Sequence, residues 1–196
     1  PQLYKAVMLG DHRAAPKGCE SFADFLSSGA GVSNTELLQY AEGVNKDDVL
    51  LIQYTSGTTS FPKGVMLSHA NMLLDAKAVA KRMGVRHDDR YFSIRPFFHV
   101  AGSTLSILVS INTGCCLLTL PKFDVSLNLE ILHKEKCSLI SGNDTIFLML
   151  MGHPNFDANK LSLRGGWAAA GPEVMEQIHS KMRIPNLCNA YGQSEA

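Results

Sequence analysis

Apolar runs of strand length recur along the chain, at residues 4–9, 49–55, 91–94, 115–120, 137–140 and roughly 167–170. Segments with helical spacing separate them, and this alternation predicts an α/β fold of layered sheets with flanking helices. Ser68 is placed to cap a helix whose inner face carries Met72, Leu73, Ala76, Val79, Ala80 and Met83, and Gly84 is placed to end it. Asp124 is placed to cap a second helix running to about Lys136. Pro172 suits the first turn of a third, continued by Val174, Ile178 and Met182. Residues 11–43, with four glycines and the cluster Phe22, Phe25 and Leu26, read as a long connection carrying one small helix.

Composition narrows what such a fold does. The 196 residues are 45% hydrophobic, enough for one real core, and 18 basic residues balance 18 acidic ones, so no global field draws in nucleic acid or an anionic membrane. Small-molecule chemistry is the expectation. The cysteines Cys19, Cys115, Cys116, Cys137 and Cys188 form no C-x-x-C pair and read as reduced core thiols; the histidines show no zinc-ligand spacing. No signal peptide opens the chain and no apolar stretch approaches the ~20 residues of a membrane span, so an intracellular, soluble protein is expected. Organelle targeting stays open, because the chain starts at Pro1.

Candidate chemistry concentrates in Tyr54-Thr55-Ser56-Gly57-Thr58-Thr59-Ser60-Phe61-Pro62-Lys63-Gly64-Val65, directly after an expected buried strand. Glycines let backbone N–H groups approach an anion, hydroxyls add donors, and a lysine offsets phosphate charge. A strand before the loop and a helix after it predict a position at the carboxyl edge of a sheet, where α/β folds bind ligands. It is not a Walker loop, since Lys63 precedes Gly64 and no Gly-Lys-Ser/Thr follows.

Thr55 to Gly64 closely resembles the phosphate loop of adenylate-forming enzymes, the superfamily of the acyl-CoA synthetases, with Ser60 in place of a usual glycine. Tyr191-Gly192-Gln193-Ser194-Glu195 resembles that family's Tyr-Gly-x-Thr-Glu element, in the expected order. Pro96-Phe97-Phe98-His99-Val100-Ala101-Gly102 is similar to its aromatic-histidine segment. Gly165 to Glu173 resembles its small-residue strand and turn. The resemblance implies that Thr55, Ser56, Gly57, Thr58, Thr59 and Lys63 hold ATP phosphates and that Tyr191 stacks on adenine beside Gly171. It also implies that Ser194 bonds the α-phosphate and that Glu195, with Thr55, holds Mg2+. His99 would border the acid and pantetheine channel and, with Lys63 and Glu195, serve catalysis. Trp167 is either a wall of the acid pocket or a core residue.

The same resemblance implies an N-terminal-domain fragment, residues 1–196, of an enzyme that joins a small-molecule carboxylate, a fatty acid for preference, to coenzyme A at the expense of ATP. The mobile C-terminal domain and its lysine are expected to lie outside this chain, leaving the fragment alone nearly inactive. Amino-acid-adenylating relatives carry a Phe-Asp-x-Ser segment, and Phe123-Asp124-Val125-Ser126 matches it in letters. It falls too late in the chain, so Asp124 is expected to be an N-cap. Amino-acid adenylation, a luciferase-like oxidase and a non-catalytic nucleotide-binding module remain the alternatives.

Overall fold

The computed structural model describes residues 5–9, 18–55 and 61–195, which divide into two units, 1–45 and 46–196. In the first, strands β1 (Ala6–Met8) and β2 (Cys19–Ser21) pair in parallel and lead into helices α1 (Phe22–Ser28) and α2 (Asn34–Glu42). Ser21 accepts the Asp24 N–H to start α1, and Ser33 with Glu36 forms a reciprocal capping box for α2. The single small helix expected in 11–43 is therefore two. Their polar caps were readable, but neither helix buries a residue, so the apolar spacing that would have revealed them is weak.

The second unit begins with an antiparallel hairpin of β3 (Val49–Thr55) and β4 (Lys63–Ser68), followed by α3 (His69–Met83). The expected buried strand at 49–55 is instead largely open: Ile52 is 52% and Tyr54 69% exposed, because among the described residues β3 pairs only with β4. Helix α3 follows its pattern except at Leu73, expected on the inner face and instead 41% exposed. Ser68 and Asn71 cap it reciprocally, Met72, Ala76, Ala80 and Met83 are buried, and Gly84 closes it at φ +60°.

The remainder winds around a five-stranded, all-parallel sheet. Its strands are β5 (Arg90–Ser93), β6 (Cys116–Leu118), β7 (Leu139–Asn143), β8 (Gly165–Ala169) and β9 (Asn186–Asn189), in spatial order β6-β5-β7-β8-β9. From β5 the chain enters a continuous helical stretch. It opens as α4 (Val100–Gly102), widens to a π-helix over Ser103–Leu108 and returns to α-helix as α5 (Val109–Thr113). Helix α6 (Val125–Lys134) precedes β7 and α7 (Asp144–Met151) follows it. After β8, α8 (Pro172–Gln177) continues as a π-helix over Ile178–Met182.

Period-two alternation within the strands builds two cores. Phe92, Ile140 and Ala168 face a layer with Leu129, Leu132, Phe147 and Leu150 from α6 and α7. Their sequence neighbours Tyr91, Leu139 and Trp167 face the opposite layer, with Ala76, Ala80 and Val109 from α3 and α5. Both faces being covered, the central strands read as apolar runs. Gly166 has no room for a side chain: its φ is +136° and a Cβ there would stand 1.8 Å from the Ile140 carbonyl oxygen.

The cysteines depart in part from the core expectation. Cys115 and Cys137 are buried, and burial pushes the Cys137 thiol up to about 12, whereas Cys116, on the edge strand β6, is exposed. All five are free thiols. No helix among the described residues is long and apolar enough to cross a membrane.

Candidate functional site

In the five-stranded sheet, β5 connects onward to β6 on one side while its other neighbour, β7, connects onward to β8 on the opposite side. Divergent crossovers leave a crevice between β5 and β7 at their carboxyl ends, where doubly wound folds bind ligands. The segment leaving β5 turns at Arg95 and Pro96, and His99 then caps α4, its Nδ1 accepting the Ala101 N–H at 3.1 Å. Gly102 makes that turn possible: a Cβ there would lie 2.1 Å from the Pro96 carbonyl oxygen.

His99, Trp167, Tyr191, Ser194 and Glu195 all line one cleft of about 650 Å³, which lies against β8 (Trp167, Ala169) and β9 (Cys188, Asn189) and not against β7, and is walled on the far side by α3 and by Val65, Met66 and Leu67 of β4. Trp167 is 4% exposed, so it is at once a core residue and part of the cleft floor. Its indole Nε1–H donates to the Tyr91 hydroxyl at 2.9 Å. Tyr191 is fully exposed and also borders a neighbouring recess with Gly171, Asp144 and Asn189. Two hydrogen bonds shape that recess: Asp144 accepts the Gly171 N–H at 3.1 Å, and Asn189 Nδ2 donates to the Ala170 carbonyl at 3.1 Å.

Thr55 and Lys63 stand directly opposite each other as the last pair of the β3–β4 ladder. The loop is therefore a hairpin connection, and a strand, not a helix, follows it. The expected strand-loop-helix order is corrected here: 63–68 carries only three apolar residues between polar ones, too short a signal beside the motif. Among the described residues Thr55 and Lys63 do not line the cleft. Ser56, Gly57, Thr58 and Thr59 lie outside the described residues.

Asp124 caps α6, accepting the Leu127 N–H at 2.8 Å, and the Ser126 hydroxyl lies 3.0 Å from His153 Nε2. Neither lines the cleft. The helix stops two residues short of the expected Lys136, which sits in the left-handed region at φ 47°.

Three charged residues of the cleft did not stand out in the sequence, Asp75, Arg82 and Arg95. The one signal for Arg95 in the sequence is its place as a lone cation between the apolar run ending at Ile94 and the Pro-Phe-Phe of the aromatic segment. Burial pushes its guanidinium down from its ordinary value, and its Nε is buried without a hydrogen-bond partner. Burial, then the Arg95 charge, lowers the His99 pKa. With Nδ1 accepting a backbone N–H, neutral His99 carries its proton on Nε2. Burial raises the Asp75 carboxyl.

The family model described as AMP-binding enzyme matches residues 7–196. The Bacillus subtilis (strain 168) protein YngI is 36% identical over 200 residues, covering 100% of this chain and 36% of that protein. A long-chain-fatty-acid–CoA ligase of the same organism is 37% identical over 167 residues, covering 83% and 30%. The chain thus spans about a third of the length of these relatives. The N-terminal domain of FACL13 from Mycobacterium tuberculosis superposes with a TM-score of 0.69 at 28% identity, covering 78% of this chain and 39% of that one. With its family model matched from residue 7 to the last, the chain belongs to the AMP-binding enzymes, and its layered α/β fold is that of their N-terminal domain.

Proposed function

We propose that the polypeptide carrying this chain activates a carboxylic acid with ATP and passes the acyl group to coenzyme A. In the first step the carboxylate oxygen attacks the α-phosphorus and pyrophosphate leaves, giving an acyl-adenylate. In the second, the thiol sulfur attacks the acyl carbon, the thiol proton is lost, and AMP leaves. The observation that carries this reading is the convergence of His99, Tyr191, Ser194 and Glu195 in one cleft at the carboxyl ends of β8 and β9.

Each side chain suits a role. The exposed Tyr191 ring and the backbone at Gly171 border a slot for the flat adenine. The Ser194 hydroxyl can donate to an α-phosphate oxygen, and Lys63 with the hydroxyls at Thr55, Ser56, Thr58 and Thr59 can neutralise the outer phosphates. Neutral His99 presents Nε2–H toward the cleft as a donor without adding charge. Phosphoryl chemistry of this kind asks the protein for alignment and charge stabilisation more than for a covalent intermediate.

Glu195 lines the cleft with no ion-pair partner among the described residues, so its carboxylate is a hard oxygen donor of the kind Mg2+ takes, whereas Thr55, the other expected donor, does not line the cleft. Bound with ATP, magnesium supplies charge neutralisation on the phosphate oxygens. The relatives' names cover a long-chain fatty acid and a ring-bearing propanoic acid, so a small-molecule carboxylic acid is the substrate class.

The test is ATP–pyrophosphate exchange by the full-length polypeptide against panels of fatty, aromatic and amino acids, with Lys63→Ala and Glu195→Ala beside it. Acid-dependent exchange that falls at least about 100-fold in either variant is expected. Exchange with no acid, or exchange indifferent to both substitutions, rules the reading out. Exchange with amino acids alone would move the substrate to that class.

A further inference from the structure

We propose that Arg95 recognises a second anionic group on the substrate acid, so that the cleft prefers dicarboxylic or otherwise anion-tailed acids to plain fatty acids. This rests on the acid-activating function proposed above and names its substrate class. Two cations line the cleft, Arg82 and Arg95. Arg82 is exposed to solvent, whereas Arg95 is half-buried and its Nε is shut off from water with no acceptor in reach. A guanidinium so placed is a donor without a partner, a costly arrangement unless a ligand completes it.

The surroundings indicate which ligand. The guanidinium carbon stands 6.0 Å from the centre of the Trp167 ring, the floor of the cleft. Trp167 lines the cleft but not the adenine recess, whereas Ala169 of the same strand lines both, so the floor under Arg95 lies back along β8 from that recess. Met72, Val79 and Leu105 give the same cleft apolar walls. An alkyl chain laid over Arg95 would strip water from the cation and return nothing. The reacting carboxylate is equally unsuited to that place. It must reach phosphorus at the Tyr191–Glu195 end, and a guanidinium fork would occupy the lone pairs it needs for attack. Among the described residues Arg95 forms no ion pair, not even with Asp75, the acidic residue of α3 in the same cleft.

The experiment measures ATP–pyrophosphate exchange by the full-length polypeptide with three acids of matched length: an α,ω-dicarboxylic acid, its monomethyl ester and the linear monocarboxylic acid. Wild-type kcat/KM should favour the diacid over its ester by at least about 10-fold. Arg95→Leu should lower the diacid by about 10- to 100-fold, mostly in KM, and raise the ester and the monoacid. Arg95→Lys, which keeps the charge without the fork, should restore part of the diacid rate, and thermal unfolding of both variants excludes a folding defect. Equal losses on all three acids, or no diacid preference in the wild type, overturn the proposal while leaving acid activation standing. Absence of exchange with every acid overturns both.

Discussion

Trp167 and Tyr91, on strands β8 and β5 either side of β7, are joined by one hydrogen bond: the indole Nε1–H donates to the phenol oxygen at 2.9 Å. The phenol in turn donates to the Leu105 carbonyl at 3.1 Å, inside the π-helix that follows His99. The cleft floor is thus tied to the segment that carries the histidine. π-Helical turns leave carbonyls out of the regular ladder, and the Tyr91 hydroxyl satisfies one of them. Tyr91→Phe leaves both Nε1–H and a carbonyl buried without that partner. A loss of about 1–3 kcal/mol is expected in urea denaturation, with a shift in the emission of Trp167, the chain's one tryptophan. An unchanged midpoint would mean that the relay carries no stability.

A second polar knot closes the opposite end of the sheet. Asp89, at the amino edge of β5, is 4% exposed along its side chain and accepts from Arg164 Nε at 2.9 Å, from the Ser138 hydroxyl at 2.7 Å and from the Arg86 N–H at 2.7 Å. Burial pushes its carboxyl up, but the hydrogen bonds from Arg164, Ser138 and Arg86, with the Arg164 charge, outweigh burial and hold it below the usual carboxylate range. A lowered pKa means that the unfolded state binds the proton first. The contribution is present in full above pH ~4 and is lost as pH falls through the folded value. Asp89→Asn should cost about 1–3 kcal/mol at neutral pH by weakening the bonds from Arg164, Ser138 and Arg86, Arg164 keeping the Gly84 carbonyl, and should flatten the acid limb of the stability curve below pH ~4. A variant with the wild-type acid limb would place the titrating group elsewhere.

Gly102 and Gly171 make opposite demands on the same site. A Cβ at Gly102 would meet the Pro96 carbonyl oxygen at 2.1 Å, a backbone atom that cannot step aside, whereas at Gly171 nothing lies within 4 Å. Gly102→Ala is expected to unfold the chain or to cost more than about 3 kcal/mol. Gly171→Ala should keep wild-type stability within about 0.5 kcal/mol. Paired thermal melts read both, and equal melting points for the two variants would contradict the packing described at Pro96.

These residues also mark how far the sequence alone could be read. Tyr91, Leu139 and Trp167 on one face, with Phe92, Ile140 and Ala168 on the other, lie in strands covered on both sides, so their apolar runs stood out. Ser68, Asp124 and Pro172 declared helix starts through local chemistry that tertiary context does not alter. Strand β9 did not stand out, because as an edge strand it keeps only Leu187 and Cys188 as apolar residues between two asparagines. Nor did the hairpin partner β4, since Lys63 and Gly64 belong equally to a loop motif. The π-turns leave no trace in a 3.6-residue pattern. The motif residues that meet in the cleft were legible because each is a distinctive side chain in a fixed order; Arg95 was passed over because a single cation has no spacing to be recognised by.

His99 and Arg95 provide a readout of the cleft that needs no substrate. The His99 ring is held below its usual value of 6.5, by burial first and by the nearby Arg95 charge second. For a base whose folded pKa is depressed, the neutral form is the folded one: stability is present above the unfolded value and declines as pH falls from about 6.5 through the folded pKa. Nδ1 contributes to this because it accepts the Ala101 N–H, and protonation would turn that acceptor into a donor facing a donor. In an NMR titration of the wild-type chain, the His99 resonance should therefore titrate below 6.5. Arg95→Leu should move it up, toward but not beyond the ordinary value, because burial persists when the charge is gone. A diacid bound to the wild-type chain should raise it too, and by more than a monoacid does, because only the diacid adds the anion that neutralises Arg95. A His99 that titrates at 6.5 in the wild type, or that ignores the loss of Arg95, would show that the two side chains do not share the cleft electrostatically.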